Sequence, residues 1–99
     1  MAVGVDLGTF IVRTPEMRGG RPRLAGTGVT VRRIAGWYKL GLSSEEIADE
    51  CGHLSLAQVY AALTYYHANS DEIEADLSAE EREAERLERE HDQATRKAP

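Results

Sequence analysis

Two helix-start signals twelve residues apart constrain this fold more than any other feature of the sequence. Ser43 is followed three residues later by Glu46, and Ser55 is followed in the same way by Gln58. In such a capping box the serine side chain accepts a hydrogen bond from the third helical backbone N–H, and the Glu or Gln returns one to the serine N–H. The spacing leaves room for one short helix and a turn at Gly52, so the sequence predicts a helix-turn-helix unit.

A further helix is expected before this unit. Val31, Ile34 and Tyr38 are spaced as one face of a helix, and Gly41 follows as a terminator. We therefore predict a mainly α fold, with a three-helix, helix-turn-helix-like core over residues 31–69. Apolar residues beside the capping boxes should lie on facing sides of the second and third helices and form its core: Leu42, Ile47, Leu54, Val59 and Leu63.

Residues 1–30 alternate short β-prone pieces with turn residues, as at Gly19-Gly20 and Pro22. We predict a short irregular β-ribbon in this N-terminal arm. Such a ribbon is marginal on its own and exposes strand edges, so it is expected to pack on the helices or to pair with a second copy. The second arrangement would make the protein a homodimer.

Residues 70–99 have a composition of their own, rich in Glu, Ala and Arg, and are predicted to form an acidic helical tail. Ser78, with Glu81 three residues later, is a further helix-start signal, so the helix is expected to break near Leu77. With few large apolar side chains, the tail should fray in isolation and become ordered on a partner. Its apolar residues make one thin stripe: Ile73, Leu77, Ala84, Leu87 and Ala94.

Charge is distributed unevenly along the chain. Residues 1–70 hold seven Arg and Lys against six Asp and Glu, whereas residues 71–99 hold five against eleven. Phosphate contacts supply most of the affinity for DNA and need basic residues near the recognition helix, yet the third predicted helix has none. Among its early side chains only Gln58 could contact a base through two hydrogen bonds. Any DNA contact is therefore expected to depend on Arg21, Arg23, Arg32 and Arg33.

No combination of residues indicates catalysis, a metal site or a cofactor. The three histidines have neither a second histidine nor a cysteine at ligand spacing, and Cys51 is the only cysteine. That thiol is expected to pack as a small apolar group. Gly26-Thr27-Gly28 lacks the lysine of a phosphate-binding loop. At 99 residues the chain has room for one domain, which favours a binding module over an enzyme.

The composition is that of a globular protein, with 41% hydrophobic and 29% charged residues. The first residues lack the basic segment of a secretion signal, and no apolar stretch reaches the roughly 18 residues that a membrane span requires. We expect a cytoplasmic protein without a membrane partner.

Several segments in a fixed order, from Ile11 to Leu77, are similar to those of a known prokaryotic family. The family is called domain of unknown function 433, and one departure is Gly28, where its members usually have arginine. The segments that carry the resemblance are Gly19-Gly20-Arg21-Pro22-Arg23-Leu24-Ala25-Gly26-Thr27, Val29-Thr30-Val31, Gly41-Leu42-Ser43-Ser44-Glu45-Glu46-Ile47-Ala48, Leu54-Ser55-Leu56-Ala57-Gln58-Val59-Tyr60-Ala61-Ala62-Leu63, Tyr65-Tyr66 and Asp71-Glu72-Ile73.

Members of that family resemble VapB-type antitoxins, which are frequently encoded beside PIN-like ribonuclease toxins. The resemblance implies such a toxin as partner, with autorepression through operator DNA, and it transfers no catalytic residue. The tail could imitate RNA through its acidity, insert an arginine among metal-binding carboxylates of the toxin, or act only as a solubilising segment. The tail residues expected to bind the partner are Arg82, Arg86, Leu87, Arg89 and Arg96.

Three functional hypotheses follow. The protein is an antitoxin, a stand-alone helix-turn-helix transcriptional regulator, or a small enzyme. The charge distribution disfavours the second and the lack of a catalytic constellation disfavours the third. A neighbouring gene for a nuclease supports the first, whereas salt-dependent binding to its own promoter without a partner supports the second.

Overall fold

The computed structural model describes residues 7–97 and is mainly helical. Four helices follow a two-stranded antiparallel ribbon, as the sequence predicts. Short 3₁₀ turns at Leu7–Thr9 and Arg18–Gly20 flank the first strand. The elements are β1 (Ile11–Val12), β2 (Arg23–Leu24), α1 (Val31–Lys39), α2 (Ser44–Cys51), α3 (Leu56–Ala68) and α4 (Ser70–Lys97).

Both predicted capping boxes are present at the starts of α2 and α3. The Ser43 hydroxyl accepts from the Glu46 N–H at 3.2 Å, and Glu46 Oε1 accepts from the Ser43 N–H at 2.9 Å. The box of α3 is equivalent. Gly52 ends α2 in the left-handed region at φ +75°, which a side chain would disfavour. The helix-turn-helix unit is therefore built by the local signals that predict it.

The arm folds back on its own chain. β1 pairs with β2, with Ile11 opposite Leu24, and an isolated bridge joins Arg23 to Thr30. Thr30 is also the N-cap of α1, since its hydroxyl accepts from the Arg33 N–H at 3.3 Å. Within residues 7–97 the two strands therefore pair with each other. The homodimer expected from the ribbon stays a prediction.

One apolar core lies between the helices and the arm. Of the five predicted core residues, Ile47, Leu54, Val59 and Leu63 are buried together, whereas Leu42 is half-buried at the edge. The arm and α4 add members that the capping pattern does not predict. Leu24 from β2 and Ile73 from α4 are fully buried, and Leu77 packs against the same cluster. The beginning of α4 is therefore part of the packed domain.

The expected break near Leu77 is wrong, because α4 is one helix through Ser78. Ser78 starts no new helix, and its exposed position lies among residues with good helix propensity. Arg86 pairs with Glu83 and with Glu90 across successive turns, which supports the helical state. At 1.5 Å per residue the 28 residues of α4 reach about 42 Å, which is longer than the domain needs to cover its core.

Between residues 7 and 97 none of the helices has an apolar stretch that could cross a bilayer.

Candidate functional site

The first turns of α4 face the basic residues of the arm and α1. Among the described residues, four ion pairs join the two parts, and three of the α4 carboxylates are spaced four residues apart on one side of the helix. Each of the four cations is therefore neutralised within its own chain. The pairs are Arg13 with Glu72, Arg21 with Asp76 at 3.7 Å, Arg32 with Glu80 at 3.0 Å, and Lys39 with Glu74 at 2.6 Å.

Glu74 is the most constrained of these carboxylates. It accepts from Lys39 Nζ and, through its other oxygen, from the Tyr66 hydroxyl at 2.5 Å. The Lys39 contact first and the Tyr66 contact second hold the pKa of Glu74 below its ordinary value. The same interaction raises the pKa of Lys39 and that of Tyr66. Glu74 thus links the end of α1, the end of α3 and the start of α4.

This arrangement predicts acid sensitivity. Because the folded-state pKa of Glu74 is lowered, its stabilising contribution is complete above the unfolded value of about 4.3 and is lost as pH falls through the folded value. We expect the urea midpoint of the wild type to fall on acidification from pH 6 to pH 3. Glu74→Gln should show a shallower fall, whereas Glu85→Gln, at an exposed position of the same helix, should keep the wild-type slope. Equal slopes for all three proteins would contradict this assignment.

Two of the residues predicted to bind DNA are engaged in holding the fold. Arg23 is buried, and its guanidinium donates to the Thr27 carbonyl at 3.0 Å and to the Thr14 hydroxyl at 2.7 Å. Gln58 Oε1 accepts from the Ser55 N–H at 2.7 Å as part of the capping box. A two-bond contact from Gln58 to a base would break that cap.

The other three arginines predicted to contact DNA differ in how exposed they are and in whether they are paired. Arg21 and Arg32 are partly covered and paired with α4 as described above. Arg33 is exposed, with its guanidinium carbon 5.0 Å from the ring centroid of Trp37, a cation–π geometry. Of the four arginines, Arg33 is the exposed one, and its guanidinium packs against the Trp37 ring.

Gly28 lies beneath the guanidinium of Arg18. Arg18 Nε donates to the Gly28 carbonyl at 3.1 Å. A Cβ at position 28 would stand 2.9 Å from Arg18 Nη2, so a side chain there would displace the guanidinium. Arg18 therefore supplies a cation at the place that a longer side chain at position 28 would occupy.

An open groove runs between α1 and α4. Cations from Arg18, Arg32 and Arg33 lie on its walls together with carboxylates from Glu50 and Glu80, so it has no single sign of charge. Within residues 7–97 no three His, Cys, Asp or Glu side chains come together as metal ligands would. The groove therefore offers a surface of mixed charge for contacts.

The residues predicted to bind a partner lie on the outer part of α4. Every residue from 78 to 95 is exposed, and Leu87 exposes 52% of its surface. Arg82 and Arg89 are exposed, while Arg86 is held by Glu83 and Glu90. The side chain of Arg96 lies outside the described residues.

The α4 carboxylates are the feature of this site that the sequence prediction missed. Glu72, Asp76 and Glu80 recur at intervals of four, which places them on one helix face. Together with the cluster of arginines in the arm, that spacing is a signal from which an intramolecular charge match could have been inferred.

Comparison with known proteins places the fold in a family. The sequence model of a protein family of unknown function, DUF433, matches residues 11–66. A search of curated proteins found no match. The crystal structure of a DUF433 member protein from Anabaena variabilis superposes with a TM-score of 0.67 and 25% identity, covering 73% of this chain and 71% of that one. The family match ends within α3, so α4 lies beyond it. Because the family model matches more than half of its residues, the chain belongs to the DUF433 family.

Proposed function

We propose that this protein is the antitoxin of a type II toxin–antitoxin pair, which binds and neutralises a PIN-like ribonuclease toxin in the cytoplasm and catalyses no reaction of its own. The observation that carries this proposal is the outer part of α4. It is a helical segment from residue 78 to residue 95 with every side chain exposed. A helix of this length that covers none of its own core gains most by packing on another molecule.

The charges support a protein partner over DNA. The tail is strongly acidic. Of the four arginines predicted to contact DNA, Arg21 and Arg32 are paired with α4 and Arg23 is buried. This leaves Arg33 exposed. A duplex approaching the arm would have to compete with the α4 carboxylates for the paired cations. An acidic helix instead suits a protein that normally binds RNA, because such a protein has a basic substrate surface.

A DNA-binding regulator is the second candidate, favoured by the helix-turn-helix geometry of α2 and α3. In that case Arg33, an exposed cation that lines the groove together with Glu50 and Cys51 of α2, would contact phosphate, and binding would fall steeply with salt. Autorepression of the protein's own gene is compatible with both candidates, and only the antitoxin would act together with a toxin.

Co-expression decides between them. The full chain and the product of the gene beside its own are produced together, and the chain is purified through an affinity tag. We expect the neighbouring protein to co-purify at a fixed ratio and its ribonuclease activity on total RNA to be suppressed until the complex is dissociated. Binding of the chain alone to its own promoter with strong salt dependence, without capture of a ribonuclease, would support the regulator instead.

A further inference from the structure

The exposed part of α4 carries an apolar stripe that continues the face packed on the core. Ile73 and Leu77 occupy this face where it meets the domain. Glu80 follows on the same face and pairs with Arg32, and beyond Glu80 this side of the helix is exposed. The residues follow each other at alternating intervals of three and four, as those on one helix face do. We call the free part the α4 stripe, and it consists of Ala84, Leu87, His91 and Ala94.

Carboxylates border the α4 stripe on both sides. Glu81 and Glu88 each come one residue after a position on this face, and Glu83 and Glu90 each come one residue before. All four are exposed. A partner that covers the stripe therefore meets two carboxylates that are unpaired within residues 7–97, Glu81 and Glu88, along one edge. Along the other edge it meets a net negative charge, where Arg86 pairs with Glu83 and Glu90.

Two arginines of the same segment lie on the far side of the helix. Arg82 and Arg89 are each two residues from a member of the α4 stripe, which is about 200° around an α-helix. Arg86 comes one residue before Leu87 and pairs with Glu83 and Glu90 on the edge that they share. When the stripe is covered, Arg82 and Arg89 face solvent.

The borders argue against a second copy of this chain as the occupant. In a two-helix seam, the residues that flank the apolar positions of one helix lie against those of the other. Here each flank holds two glutamates, and the single arginine among them, Arg86, is already paired with Glu83 and Glu90. Parallel and antiparallel pairing alike would therefore bring a net excess of carboxylates together. Two alanines and a histidine in the α4 stripe would also bury little apolar area between two copies of the helix. Charge complementarity instead selects a cationic occupant.

We propose that the α4 stripe docks into an apolar groove rimmed by lysine or arginine on the ribonuclease partner, with Arg82 and Arg89 turned to solvent. This inference rests on the proposed function and adds the chemistry of the contact. Of the ways in which the tail could act, it selects imitation of an acidic ligand and excludes insertion of Arg82 or Arg89 into the ribonuclease active site.

The test measures binding of full-length variants to the purified ribonuclease encoded beside the chain's gene. Leu87→Glu places a charge in the apolar groove and should weaken affinity at least tenfold. The pair Glu81→Gln and Glu88→Gln should weaken it several-fold, with slower association and a shallower dependence on salt. The matched pair Arg82→Gln and Arg89→Gln, on the opposite face, should bind no more weakly than the wild type. Circular dichroism confirms that each variant keeps its helices.

The outcomes separate this inference from the proposed function. If the wild type captures no ribonuclease, the proposed function fails, and so does the proposal that a ribonuclease covers the α4 stripe. If the wild type binds but Leu87→Glu binds equally well, or if the arginine pair loses affinity instead, the function stands and the docking face is wrong. A cross-link test examines self-pairing. With Cys51→Ser and Leu87→Cys combined, oxidation should give no disulfide-linked dimer, and efficient dimer formation would overturn the inference in favour of a second copy.

Discussion

Replacing Val59 with aspartate is expected to abolish the folded domain at neutral pH. Val59 is fully buried in α3, within a core built from the arm and all four helices. An unpaired carboxylate in such a site costs several kcal/mol. Since the entire stability of a domain is about 5–15 kcal/mol, and small domains lie at the low end, that cost removes most or all of it.

The adjacent residue provides the control for this substitution. Tyr60 exposes 52% of its surface on the same helix, so Tyr60→Asp changes the same secondary structure without burying a charge. Its effect should be that of an ordinary surface change, about 0.5 kcal/mol, or a few degrees in the melting temperature. Thermal melts followed by far-ultraviolet circular dichroism compare the two variants. A cooperative melt of Val59→Asp near the wild-type temperature would show that α3 packs differently.

The parts of the fold that were predictable are those governed by local sequence. Ser43 with Glu46 and Ser55 with Gln58 satisfy backbone groups within three residues of themselves, so they specify two helix starts whatever the remainder of the chain does. Once the helix starts are fixed, the side of each helix on which the neighbouring apolar residues lie is fixed as well. For this reason most of the predicted core is observed, with only Leu42 less buried than expected.

Long-range contacts account for what the sequence did not predict. Arg23 was predicted to contact DNA, which requires an exposed guanidinium, yet it is buried. Its acceptors, Thr14 and the Thr27 carbonyl, come from turns whose positions depend on the folded arm. Likewise, the pairing of Arg21 with Asp76 joins residues far apart in the chain. Only the packing of α4 on α1 brings such partners together.

The continuity of α4 shows a local signal overridden by its neighbours. Ser78 and Glu81 match a capping box, but the preceding turn is already fixed by buried Ile73 and by Leu77 against the core. Just beyond, Glu80 pairs with Arg32 of α1, which holds the next turn in line. A break at Leu77 would give up these contacts for one cap of about 1 kcal/mol. The helix therefore continues.

Two truncations separate the packed and the projecting parts of α4. A chain ending after Leu77 keeps Ile73 and the ion pairs of Glu72, Glu74 and Asp76 and loses the partly exposed Arg32–Glu80 pair, worth about 0–1 kcal/mol. We expect it to melt within a few degrees of the full chain. A chain ending after Asn69 also loses the fully buried Ile73, about 1.5–3 kcal/mol, and should melt clearly lower.

Unlike stability, affinity for the ribonuclease should depend mainly on the projecting part of α4. Removal of residues 78–99 deletes the α4 stripe and its flanking carboxylates while leaving the core intact, so affinity for the ribonuclease should fall by about a hundredfold, equivalent to about 2.8 kcal/mol. Titration calorimetry and inhibition of RNA cleavage measure this directly, with the full chain as reference. If the chain ending after Leu77 binds and silences the ribonuclease as well as the full chain does, the outer part of α4 is a solvated appendage. The partner must then contact the packed domain, where the groove between α1 and α4 carries charges of both signs.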